Sequence, residues 1–168
     1  MKHILYICGV ILILCGCEKM EVDFINEPNI KTFVKQIKEG SYDIRNQQGE
    51  LELPNFTHYH ISELLEYVDD MSVISEYPHA SVGSLPQTPR LGVCLLWTIE
   101  GIRIGKKFPT LNCLLTIKAE RGTREVNDEE AVEVIALYKL WWKQESPFNS
   151  GNDKYLINPL EETKYCWY

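Results

Sequence analysis

Apolar residues recur at helical spacing in four separate stretches of the chain. Ile30, Phe33, Val34 and Ile37 share one face, and Gly40 stands where a left-handed C-terminal cap belongs. The spacing predicts a first helix over 29–39. Ile61, Leu64, Leu65 and Val68 carry a similar stripe behind Thr57, a good N-cap, and predict a second helix over 58–70. Its acidic end, Asp69-Asp70, opposes the helix dipole, so those carboxylates should be exposed or paired with a base from elsewhere. Pro89 suits a first helical turn and opens a third helix over 89–104. Leu91, Cys94, Leu95, Thr98 and Ile102 lie along one side, and Leu96, Trp97 and Ile99 widen it. A helix that is apolar around most of its circumference belongs at the centre of a domain. The fourth helix runs from its cap at Asn127 to Gln144. Glu130 completes a capping box, and Ala131, Val134, Ile135, Tyr138 and either Trp141 or Trp142 form the buried face.

The segments between carry weaker patterns. Residues 41–56 are polar and turn through Leu51, Leu53 and Pro54, and 71–88 read as a long ordered loop rich in Ser, Pro, Gly and His. Leu111 to Ala119 fits a short extended segment or a helical turn, Glu120 to Val126 a charged loop, and Ser146 to Tyr168 irregular structure packed across the helices. No repeat or second domain stands out. The expected fold is all-α: one mainly helical domain over 29–168, a bundle of about four helices with irregular loops and a C-terminal tail.

The start of the chain reads as an address. An apolar run, Ile4 to Leu14, follows Lys2 and closes on Leu14-Cys15-Gly16-Cys17, the layout of an export signal. It is shorter than the roughly 20 apolar residues of a membrane span, and it gives way to Glu18, Lys19 and Glu21. The stretch resembles the lipobox of bacterial lipoproteins, whose cysteine is lipidated and becomes the first mature residue. Residues 1–16 are then a signal peptide, Cys17 carries the acyl chains, palmitate among them, and 17–28 form a lipidated tether. Two or more chains suffice for stable anchoring. The expected location is the bacterial cell envelope, at the outer membrane, with the face left open.

Charge narrows the partners. The 168-residue chain has a formal net charge of −7, which argues against nonspecific nucleic-acid binding and against a peripheral grip on anionic lipid. It is compatible with a basic protein partner, and equally with a solvated surface that only keeps the chain soluble. Beyond Cys17, three cysteines remain: Cys94, Cys113 and Cys166. They allow at most one internal bridge, and the sequence does not choose the pair; Cys94 sits on an apolar helical face, where a buried free thiol is the default. There is no C-x-x-C, so neither a thioredoxin-like site nor a zinc knuckle is suggested.

Few residues offer chemistry. Glu100 and Arg103 lie one turn apart on the most hydrophobic helix. Functionally they read as a general base and an anion-holding arginine. Structurally they read as an i,i+3 ion pair on an exposed edge, or one that ties the helix to a loop. His58, His60 and Glu63 invite a zinc proposal, but the i,i+4 pair of an H-E-x-x-H helix is missing and His79 lies in a distant loop. No metal or cofactor is expected. G-x-S-x-G, P-loop and G-x-G-x-x-G motifs are absent. Asn55-Phe56-Thr57 matches a glycosylation sequon and reads better as loop then N-cap. Adjacent Trp141 and Trp142 point about 100° apart on a helix, so one belongs in the core. The other lies under the tail or forms an exposed platform for protein or glycan contact.

Leu53-Pro54-Asn55-Phe56-Thr57, Arg90-Leu91-Gly92, the run Leu95 to Arg103, Trp141-Trp142, Asn158-Pro159-Leu160 and Tyr165-Cys166-Trp167 resemble a family of uncharacterised Bacteroides-type lipoproteins. The likeness covers most of the mature chain, and LLWTIEGIR is its most specific part; Val93 departs from the acidic residue of the family's LGECLLW run. The resemblance implies a small helical lipoprotein domain of unknown function and transfers no catalytic residue. The expected function is a noncatalytic binding or assembly module anchored at the envelope, with Glu100, Arg103, Trp141 and Trp142 as candidate interaction residues. The alternatives are an envelope hydrolase acting on glycan or peptide, and an immunity or inhibitor protein against a basic partner.

Overall fold

A computed structural model describes residues 23–119, 122–144 and 157–168. Cys17, the expected signal segment before it and the first part of the tail lie outside the described residues. Helix α1 spans Ile30–Glu39 and buries the four predicted residues. The Asn29 side chain accepts from the Thr32 N–H at 2.8 Å, and Gly40, at φ 64°, caps the other end through its own N–H.

The second segment keeps its stripe but not its length. Ile61, Leu64, Leu65 and Val68 are all buried, yet the helix is a 3-10 turn at His58–His60 followed by α2, Ile61–Leu64. After Leu64 the backbone tightens: the Glu66 N–H donates to the Glu63 carbonyl and the Tyr67 N–H to the Leu64 carbonyl, each at 3.1 Å, i,i+3 bonds in place of the α-helical ladder. The Gly92 N–H donates to the Asp70 carbonyl at 2.8 Å, and a Cβ on Gly92 would fall 1.9 Å from the Val68 carbonyl oxygen. Carbonyls at the end of the second segment are therefore turned toward a neighbour. Asp69 and Asp70 find outside bases as expected: Lys139 pairs with Asp69, and Lys38 with Asp70 at 2.5 Å.

Helix α3, Leu91–Arg103, is the centre of the core, with every residue buried except Ile102. Its N-cap is Arg90, not a residue before Pro89. The Pro89 carbonyl instead accepts from the Ile74 N–H at 3.0 Å, in a bridge between Val73 and Arg90 that holds the long loop in place.

The expected all-α bundle is wrong: three antiparallel strands complete a mixed α/β fold. Strand β1, Leu115–Ala119, lies between β2, Gly122–Glu125, and β3, Tyr165–Trp167. Ile117 pairs with Arg124 on one side and with Tyr165 on the other. The strands escaped the sequence pattern for physical reasons. All four residues of β2 are exposed, so it is a charged edge with no apolar alternation. β3 has three residues and exists only because the chain returns to β1. Thus 115–119 resolve as a strand, the predicted loop over 120–126 contains β2, and the end of the tail is a strand rather than irregular.

Helix α4, Asp128–Gln144, begins with the predicted capping box. The Asn127 N–H donates to Glu130 Oε2 at 3.0 Å and the Glu130 N–H donates to Asn127 Oδ1 at 2.8 Å. Ala131, Val134, Ile135, Tyr138 and Trp141 face the core. Among the described residues no helix is long and apolar enough to cross a membrane.

Candidate functional site

Two ionisable side chains at the end of α3 are buried, and their neighbours satisfy them almost completely. Glu100 and Arg103 are three residues apart and so share a helix face. Arg103 Nη2 donates to Glu100 Oε1 at 2.6 Å and its Nε to Oε2 at 2.8 Å, a bidentate fork. The side chains are 8% and 7% exposed, so this is not a surface pair. The structural reading in which the pair ties its helix to another segment matches the geometry: Arg103 Nη1 also donates to the Ile157 carbonyl at 3.3 Å, close to the described start of the C-terminal segment.

Two more elements close the network. Tyr138 on α4 donates its hydroxyl to Glu100 Oε2 at 2.9 Å. Trp167 on β3 donates its indole N–H to the Tyr138 oxygen at 2.9 Å. The chain of bonds therefore links α3, α4 and the sheet. Taking two charges out of water costs several kcal/mol per ion, which only such saturation offsets. Burial works against the charge on Arg103, but the Glu100 hydrogen bond and charge hold its pKa above the usual value. Burial, then the Glu100 charge, pushes the Tyr138 phenol well above its ordinary range, so Tyr138 stays a donor.

Each member of the pair lines a different cleft. On the Arg103 side, a cleft of about 550 Å³ is formed by Leu53–Thr57, His58, Ile102, Lys106 and Lys107. Among the described residues no acidic side chain lines it. Lys107 reaches out to Glu52 at 3.1 Å. The Asn55 side chain donates to Asn26 Oδ1 at 2.7 Å, which braces the loop that builds this wall. On the Glu100 side, a cleft of about 520 Å³ is lined by Lys118, Glu161, Glu162 and Tyr165, among others.

The histidines are dispersed. His58 lines the Arg103 cleft against Tyr59, with ring centroids 3.8 Å apart. His60 serves its own turn, where Nδ1 accepts from the Thr57 N–H at 2.9 Å. His79 borders a separate cleft with Glu50 and Glu76. Among the described residues no three His, Cys, Asp or Glu side chains group so as to hold a metal ion.

The tryptophans divide as their spacing requires. Trp141 is 4% exposed and meets Tyr138 edge-on at 6.2 Å, whereas Trp142 is half-buried. Neither belongs to the Glu100 network of hydrogen bonds, and Trp141 Nε1 has no partner among the described residues. Tyr138 and Trp167, which do belong to it, read in the sequence only as a core position and a tail aromatic. The available signal was chemical: a tyrosine on a buried stripe needs a partner for its hydroxyl, and a carboxylate on the most apolar helix needs donors.

A family model described as "Domain of unknown function (DUF4943)" matches residues 24–168. Searches of the curated proteins and of the solved structures found no match.

Proposed function

The chain belongs to the DUF4943 family, and we propose that it is a noncatalytic binding module held at the bacterial envelope by lipid on Cys17. The anchor rests on the lipobox-like Leu14-Cys15-Gly16-Cys17 behind its apolar run. The noncatalytic reading rests on one observation. Glu100, the best candidate for a general base, is 8% exposed and accepts three hydrogen bonds, from Arg103 Nη2 on Oε1 and from Arg103 Nε and the Tyr138 hydroxyl on Oε2. A base must reach a substrate proton, and this carboxylate is committed to an ion pair and a phenol inside the core.

The cleft beside Arg103 is the binding site in this reading. It is mostly apolar and, with Lys107 already paired to Glu52, presents Lys106 with no lining carboxylate among the described residues, in a chain of net charge −7. Its complement is a ligand with an acidic group next to an apolar face. The hydrolase alternative draws on Glu161 and Glu162, which line the same cleft as Glu100. The immunity alternative draws on the net negative charge and requires a basic partner.

A crosslinking pull-down of the lipidated protein from its native envelope, at low and high salt, tests the reading. A salt-sensitive partner captured by the wild type and lost with Lys106→Glu supports the cleft. A salt-sensitive partner retained by Lys106→Glu moves the interface to the acidic surface and favours the immunity role. No partner at either salt overturns the binding reading in favour of the hydrolase.

A further inference from the structure

Cys94 and Cys113 place their Sγ atoms 3.6 Å apart, with both residues fully buried. Cys94 sits on α3, and Cys113 lies two residues before β1. Their 19-residue separation means that neither local helix geometry nor strand pairing brings them together; the packing of the sheet onto α3 does. Cys166 is engaged elsewhere: it is half-buried on β3, with Thr116 Oγ1 3.2 Å from its Sγ. Of the three pairings open to these cysteines, the structure therefore favours one.

The geometry points to a Cys94–Cys113 disulfide as a built-in modification site of this domain, closed in an oxidising compartment. The compartment rests on the export reading above; the choice of pair does not. A disulfide needs its sulfurs about 2.05 Å apart, so closure calls for an approach of roughly 1.5 Å, within the reach of side-chain adjustment. The bond would join the central helix to the segment that launches the sheet.

The chemistry requires a disulfide-bearing oxidant, either an oxidoreductase or oxidised glutathione. One cysteine thiolate attacks the oxidant's disulfide, forming a mixed disulfide and releasing one thiol. The second thiolate attacks the protein sulfur of that mixed disulfide, forming the Cys94–Cys113 bond and releasing the second thiol. Two protein protons are lost and the oxidant gains two electrons. Cys113 borders a cleft of about 620 Å³ between α3, α4 and the sheet, though its side chain is buried in the folded domain. Burial and the neighbouring Cys94 raise the Cys113 pKa well above its ordinary value, so the folded Cys113 thiol reacts slowly and the bond forms best while the chain folds.

A nonreducing tryptic map decides the pair. Cleavage after Arg90, Arg103, Lys107, Lys118 and Lys164 puts Cys94, Cys113 and Cys166 in three different peptides. The full chain is reduced, unfolded and refolded in a glutathione redox buffer, and in parallel is recovered from the bacterial envelope with its thiols trapped. The expected product joins Leu91–Arg103 to Phe108–Lys118, with Cys166 free. Cys166→Ala should give the same linked pair. Refolding to the native spectrum with Cys94 and Cys113 still reduced, or linkage of either to Cys166, overturns the proposal. The linked pair after refolding, with Cys94 and Cys113 reduced in the envelope sample, overturns the proposal that the bond is closed where the protein resides.

Discussion

Tyr138 donates its hydroxyl to Glu100 Oε2 at 2.9 Å across 38 residues of sequence, joining the last long helix to the centre of the core. The bond matters because Glu100 is buried beside Arg103, and a buried ion pair tolerates little loss. Glu100→Ala leaves the Arg103 guanidinium in the core without its bidentate acceptor. The expected cost is about 3–5 kcal/mol, measured as a fall in urea midpoint at constant slope. A loss below about 1 kcal/mol would show that Arg103 escapes to solvent at little expense.

Tyr138→Phe removes one donor from Glu100 and the acceptor of the Trp167 indole N–H. It should cost about 1–3 kcal/mol, because the half-buried Trp167 indole N–H loses its acceptor and the buried Glu100 Oε2 keeps only Arg103 Nε. Combined with Glu100→Ala the loss should fall short of the sum by at least about 0.5 kcal/mol, since the two side chains share a network. Strict additivity in a double-mutant cycle contradicts the network.

Gly92→Ala should destabilise strongly although alanine is the better helix former by about 1 kcal/mol. The new methyl would meet the Val68 carbonyl oxygen at 1.9 Å and its carbon at 2.8 Å, both backbone atoms. A penalty of at least about 3 kcal/mol is expected in chemical denaturation. A neutral or stabilising outcome would mean that α3 and the end of the second helical segment lie farther apart.

Glu130 gives a pH signature. Its carboxyl is held at about 2, against an ordinary 4.5, first by the Arg124 side chain and then by the Asn127 backbone N–H. A depressed folded-state value stabilises the fold above the ordinary pKa, and that contribution is lost as pH falls from about 4.5 toward 2. The stability gap between wild type and Glu130→Gln should therefore shrink through that acid window. A gap unchanged across it would exclude the Arg124 pairing as its source.

Cys17→Ala tests the anchor. The substituted chain should lose metabolic palmitate labelling and leave the membrane fraction. Undiminished labelling would remove the lipid from Cys17 and with it the envelope assignment.

Several features were legible from the sequence because they depend on neighbours a few residues away. The Asn29 and Gly40 caps, the Asn127–Glu130 box and the buried stripes of the four helical segments are local patterns, and the structure carries them with one exception, Ile102 on α3, which is part-exposed. The outside pairing of Asp69 and Asp70 followed from a local conflict with the helix dipole. The central place of α3 followed from its apolar circumference.

The tertiary structure alone decided the rest, through contacts between residues far apart in sequence. β2 is fully exposed and β3 is three residues long, so neither has a pattern of its own; β1 makes them strands by offering hydrogen bonds on both edges. The second helix gives way to i,i+3 turns after Leu64, and the Asp70 carbonyl beyond it accepts from Gly92 on α3. Glu100 and Arg103 were visible as a pair, but whether they faced water depended on Tyr138, Trp167 and the Ile157 carbonyl, supplied by three later segments. A helical face can be read from spacing, whereas the partner that covers it is set only when the sheet and the C-terminal segment pack against it.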